Sequence, residues 1–240
     1  MSKPKRKDRD RRRRWAARLG KGALAAAGAL LALTLLQVAL LRWWDPPFTV
    51  DMLWQACGGW LRSEPYRKPV WLWRDLERIS PHLRKAVLAG EDQRFLHHEG
   101  FDFIEIRKAF GDLLENGRVR GASTISMQTA RSVFLPRSRT VPRKLAEAYY
   151  TLLVEWMWGK RRILEIYLNT VDWGDGIQGA EAASRRYFRK PARDLTKRES
   201  ALLASILPNP HLFPPDPSRA YVKHRFRQIR ADMEKMPVVN

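Results

Sequence analysis

The residues best suited to chemistry stand together from Glu91 to Asp102, EDQRFLHHEGFD, where acidic side chains, two adjacent histidines and a glycine lie among aromatics. Carboxylates beside imidazoles can take, give or orient protons, so the cluster suits general acid–base work. The same composition also serves as a polar helix end, because SPHLRKAVLAG runs into it with Ser80 as N-cap and Pro81 at N1. A second stretch, GASTISMQTAR from Gly121 to Arg131, opens a predicted helix with small residues and with Ser123 and Thr124. Free backbone N–H groups and two hydroxyls then point where an anion could bind, with Gln128 and Arg131 close behind, although an ordinary capped helix reads the same way. A third stretch, RTVPRKLAEAYYTLLVE from Arg139 to Glu155, starts a helix at Pro142 and sets Glu147 among Arg139, Arg143 and Lys144. That is either a charged site or a surface salt-bridge lattice.

The elements that must position these residues follow from length and patterning. The chain has 240 residues and a formal net charge of +20, and its first 21 residues hold eleven Lys/Arg against Asp8 and Asp10. Next comes Gly22 to Leu41, twenty residues without a formal charge, enough helix for about 30 Å of bilayer core. Bulky Leu40, Leu41, Trp43 and Trp44 close this segment, where a cleaved signal would have small residues, so it reads as an uncleaved anchor. The charge asymmetry places the N-terminus in the cytoplasm and the remainder outside. A basic domain favours phosphate-bearing partners, nucleic acid or anionic lipid, without choosing between them. Cys57 is the one cysteine, so neither an intramolecular disulfide nor a cysteine-based metal site is expected. The predicted organisation is a basic arm (1–21), a transmembrane segment (22–42), an irregular membrane-proximal linker rich in Pro, Gly and aromatics (43–69), and a folded domain (70–240). That domain reads as all-α, with helices over Ser80–Gly90, Phe103–Asn116, Ser123–Leu135, Pro142–Trp158, Lys160–Asn169, Ile177–Phe188, Lys197–Leu207 and Ser218–Met236.

Taken in order, ED-x-x-F-x-x-H-x-G (Glu91, Asp92, Phe95, His98, Gly100), G-A-S-T-I-S-x-Q-x-x-R (Gly121–Arg131), R-K-x-x-E (Arg143–Glu147) and K-R-x-I-L-x-x-Y-L-N (Lys160–Asn169) resemble the signature set of family 51 glycosyltransferases. WGDGIQGAEAASRRYFRK and LTKRESALLASILPNP also match, and the resemblance spans about residues 75 to 235. It implies a lysozyme-like all-α domain behind a single N-terminal transmembrane helix. It further implies a peptidoglycan glycosyltransferase of the monofunctional kind, in the bacterial inner membrane, with a cytoplasmic N-terminus and a periplasmic catalytic domain. The reaction implied is polymerisation of lipid II into β-1,4-linked glycan with release of undecaprenyl diphosphate.

By the same resemblance Glu91 is the general base and Glu147 the second catalytic carboxylate, supported by Asp92, Phe95, His98 and Gly100. Ser123, Thr124, Gln128, Arg131, Arg139, Arg143 and Lys144 hold the substrate diphosphate, with Arg131 and Arg139 ranked first for direct contact. Arg143 and Lys144 have the alternative task of holding Glu147. No cofactor or protein-bound metal is expected; a divalent cation bridging the substrate diphosphate stays open. The expected partners are lipid II, the growing lipid-linked glycan, the inner membrane and cell-wall synthesis or division proteins, with no nucleic acid. Two departures from the family pattern stand out: Met127 replaces a usual glutamine and Arg131 a usual lysine. Two rivals remain, a lytic transglycosylase or muramidase using paired carboxylates, and a tethered basic scaffold. The cation-rich stretch from Arg131 to Lys144 suits a diphosphate leaving group and has little use in sugar–sugar cleavage.

Overall fold

A computed structural model describes residues 5–61, 68–117, 121–136, 138, 140–174 and 176–239. It divides into two units, Met1–Trp44 and Asp45–Asn240. The first is one helix, α1 (Lys5–Leu40), whose stretch Arg14–Leu40 is long and apolar enough to cross a membrane. The basic arm is thus continuous helix with the apolar segment, starting well before Gly22. Lys, Arg, Ala and Leu are all good helix formers, so the turn-by-turn hydrogen bonding has no reason to stop where the polarity changes.

The second unit is helical almost throughout, as expected. Its first helix, α2 (Val50–Leu61), lies where an irregular lead-in was predicted. Thr49 starts it by accepting from the Met52 N–H at 3.2 Å, and the Gly58–Gly59 pair is carried within it. After a two-residue strand, β1 (Val70–Trp71), come α3 (Pro81–Glu91), α4 (Phe103–Asn116), α5 (Ile125–Phe134), α6 (Val141–Met157) and α7 (Lys160–Thr170). A second short strand, β2 (Ile177–Gln178), leads to α8 (Ala180–Phe188), α9 (Lys197–Ile206) and α10 (Ala220–Asp232). The helix predicted from Ile177 therefore begins at Ala180, because Ile177 and Gln178 pair in parallel with Val70 and Trp71.

Caps fix most helix starts where the sequence placed them. Ser80 accepts from His82 N–H ahead of Pro81, Asp102 from the Ile104 and Glu105 N–H groups, and Thr140 from that of Arg143. Thr196 and Glu199 close a reciprocal capping box on α9.

Packing centres on α7. Every residue from Ile163 to Thr170 is buried, so the helix read as amphipathic is enclosed on all sides. Helix α5 packs against α6, α7 and α2, while α3 packs against α9 and α10. Asn169 knots the strand pair to α7: its side chain accepts from Arg74 N–H and donates to Arg74 O, each at 2.8 Å, while its own carbonyl accepts from the Trp71 indole. A side chain on Gly179 would lie 2.6 Å from that carbonyl, which accounts for the glycine. Helix α4 stands apart, burying no residue and exposing Phe103, Phe110 and Leu114.

Candidate active site

The predicted acid–histidine cluster forms at the point where α3 ends. Asp92 leaves helical geometry, and its carboxylate accepts from the Ile125 N–H at 2.9 Å and faces His98 Nε2 at 3.0 Å. His98 Nδ1 in turn accepts the Gly100 N–H at 3.2 Å, so the imidazole carries its proton on Nε2 and donates it to Asp92. The end of α3, the 95–100 loop and the start of α5 are joined through this one carboxylate. Phe95 is buried beside the imidazole, with the Lys160 ammonium 4.7 Å from its ring centre. Gly100 adopts φ +92°, and a Cβ there would meet Thr151 Cγ2 at 2.8 Å, so only glycine fits between the loop and α6.

Glu91, the last residue of α3, has partners different from those of Asp92. Its Oε2 accepts from Gln128 Nε2 at 3.1 Å and its Oε1 from Arg225 Nη2 at 3.2 Å. Arg225 also donates to the carbonyls of Gly90 and Ser205, which pins α10 against α3 and α9. Burial pushes the Glu91 carboxyl above the usual carboxylate range, and Arg225, the Gln128 amide and Arg131 restrain that rise. A carboxylate whose proton affinity is raised in this way is a better base than a solvated one. Gln128 and Arg131 continue from Glu91 into a cleft of about 300 Å³ that Asp51, Asp172 and His211 also line. The pair formed by His211 and Asp172, 2.8 Å apart, ties the α9–α10 loop to the α7–β2 loop.

Glu147, on α6, is fully buried, and both Arg143 and Lys144 donate to its carboxylate. Both cations therefore do the holding task that was their alternative. Thr124 is also committed: its hydroxyl caps α5 by accepting from Met127 N–H and gives its proton to Gly100 O at 2.6 Å. It is not available as the neutral donor expected of it, because a hydroxyl has one proton to give. Ser123 precedes the cap and is half-buried. Arg139 lies outside the described residues.

Three residues joined to this site were given no site role from the sequence. Arg225 sits in a basic helix like many others, Tyr167 reads as part of an apolar face, and Glu155 follows the motif glutamate by two turns. Glu155 is half-buried where α5, α6 and α7 meet, accepting from Ser126 and, at 2.6 Å, from Lys160.

The model of the family described as "Transglycosylase" matches residues 62–234. Curated relatives called "Biosynthetic peptidoglycan transglycosylase" include one from Rhodospirillum centenum, 47% identical over 213 residues that cover 86% of this chain and 88% of the relative. Others are from Aeromonas hydrophila, 46% identical over 93% of this chain and 92% of the relative, and from Shewanella oneidensis, 43% identical over 92% and 91%.

Proposed function

From the premise that the chain belongs to the transglycosylase family, we propose that it is a membrane-anchored glycosyltransferase of cell-wall synthesis that polymerises lipid II. The acceptor is the 4-hydroxyl of one lipid II, and the donor is the α-linked undecaprenyl diphosphate end of the growing chain. Attack on the anomeric carbon from the face opposite the diphosphate forms the β-1,4 bond and releases undecaprenyl diphosphate. Such a displacement needs a base on the attacking hydroxyl and counter-charge on the departing diphosphate.

The observation that carries this reading is Glu91, nearly enclosed, raised in pKa, and linked through Gln128 to a cleft that Arg131 also lines. Glu91 takes the hydroxyl proton. Arg131 is the foremost counter-charge for the diphosphate, with Arg139 and Ser123 assigned beside it, and its planar fork can bind two phosphate oxygens at once. Glu147 acts through the cations it holds. The exposed apolar side chains of α4 suit a domain whose substrate is delivered from a bilayer. The anchor's charge asymmetry favours a cytoplasmic N-terminus and a periplasmic domain, in an inner membrane.

The test is conversion of purified lipid II into polymer by the full-length protein in detergent or vesicles, followed on a gel. Wild type should lengthen chains, and Glu91→Gln should not, while lipid II affinity stays close to wild type. Cleavage of finished peptidoglycan without polymer formation would overturn the assignment in favour of a lytic enzyme.

A further inference from the structure

The orientation of the Gln128 amide decides what Glu91 meets. Its Nε2 donates to Glu91 Oε2 at 3.1 Å while its Oε1 accepts from the Tyr167 hydroxyl at 3.4 Å. Tyr167 lies on the enclosed helix α7 with no exposed surface, and Gln128 is the acceptor of its hydroxyl proton. If the amide turned over, its oxygen would face the carboxylate, and two acceptors in contact require Glu91 to carry a proton. The turned amide would also leave the buried tyrosine proton without that acceptor, which is costly in a low-dielectric interior. The hydroxyl and the carboxylate thus sit at opposite ends of one amide, and each selects the same orientation of it.

We propose that Tyr167 is a positioning residue for the reaction: its buried hydroxyl locks the Gln128 amide with N–H toward Glu91, which keeps Glu91 in the proton-accepting carboxylate form. The inference rests on Glu91 being the base. The charged and titratable groups around Glu91 are Arg225 from α10, Arg131 from α5, Asp92 beside it in sequence, and Tyr167 itself. Burial and Asp92 favour the protonated acid, whereas Arg225, Gln128 and Arg131 favour the carboxylate, so reversing the Gln128 hydrogen bond moves Glu91 toward the acid. Burial and the nearby Glu91 push the Tyr167 phenol well above its ordinary value, so it stays protonated and remains a donor across the working range of pH. The neighbouring Met127 offers no amide that could substitute, and Gln128 is the neutral donor to Glu91 among the described residues.

The experiment uses full-length protein in detergent with 13C-carboxyl-labelled glutamate, the Glu91 signal being assigned by its loss in Glu91→Gln. Tyr167→Phe fills the same space without the hydroxyl and should raise the Glu91 midpoint by about half to one pH unit. Gln128→Met should raise it at least as far, and adding Tyr167→Phe to Gln128→Met should move it no further. The acid limb of lipid II polymerisation should rise by the same amount in Tyr167→Phe, with KM unchanged. An unmoved midpoint in Tyr167→Phe, additive shifts in the double variant, or an activity loss equal at every pH would overturn the proposal. The midpoint is read without substrate, so failure of the wild type to polymerise lipid II would refute the polymerase reading separately from the hydrogen-bond relay.

Discussion

Arg143 and Lys144 both reach the buried Glu147, yet their surroundings differ enough to give unequal costs on removal. The Arg143 side chain is 14% exposed and that of Lys144 47%, against none for Glu147. Removing one member of a buried ion pair costs about 3–5 kcal/mol, because the remaining charge is left without compensation. Two features lower that figure for Arg143→Met: Lys144 still reaches the carboxylate, and the Arg143 Nε, buried without a partner among the described residues, goes with the guanidinium. Losing an unsatisfied donor returns about 1 kcal/mol, and the remaining Lys144 contact holds what is left to the lower part of the range, a net cost of about 2–3 kcal/mol. For a domain of this size that corresponds to a fall of about 4–12 °C in Tm. Lys144→Met removes a half-solvated charge, worth about 1 kcal/mol or less and so at most about 4 °C. Thermal unfolding of the two variants beside wild type, in one detergent and at one pH, measures the difference. Equal losses, or a larger one for Lys144→Met, would refute the reasoning and free Arg143 for the substrate instead.

Three further outcomes follow from the site. Gly100→Ala should destabilise the domain by about 2–4 kcal/mol, from positive φ and from the contact with Thr151 Cγ2, and Thr151→Ser, which lacks that methyl, should recover part of the loss in a urea titration. Burial raises the folded-state pKa of Glu91 above its unfolded value, so its favourable contribution is complete below the unfolded pKa and is lost as pH rises through the folded one. Glu91→Gln should therefore melt above wild type at neutral pH, with the difference shrinking toward about pH 4, and a constant difference across that range would contradict the linkage. Arg225→Met removes a charge-assisted bond worth about 1.5–3 kcal/mol to ionised Glu91, so the acid limb of polymerisation should rise by about one to two pH units and activity should return at higher pH.

Much of the architecture was legible because helix starts are local chemistry: Ser80 before Pro81, Asp102, Thr124 and Thr140 each cap the helix that the pattern announced. The Glu91–Gly100 loop was legible as a cluster since its members stand within ten residues and meet around Asp92 and His98. Interactions that span the chain were not. Nothing near Arg225 distinguishes it from the other cations of α10, and nothing near Tyr167 marks its hydroxyl as turned toward Gln128. The strand pair escaped because two residues are too few to show a period, and α2 because a Gly-Gly pair reads as a break. Thr124 drew a ligand role from its motif, whereas one proton already given to Gly100 O decides its place.

The bond from Arg225 to Glu91 joins positions 134 residues apart, and Arg84 of α3 likewise donates to the carbonyl of Val239 at 2.9 Å. The proposed base is therefore furnished with its hydrogen-bonded counter-charge by α10, the last helix among the described residues. A chain still being made already contains EDQRFLHHEGFD and both glutamates, but no guanidinium is hydrogen-bonded to its Glu91 until α10 docks on α3 and α9. Assembly of the site is tied to completion of the fold, so a product cut short before α10 would keep every motif glutamate and still lack a finished base.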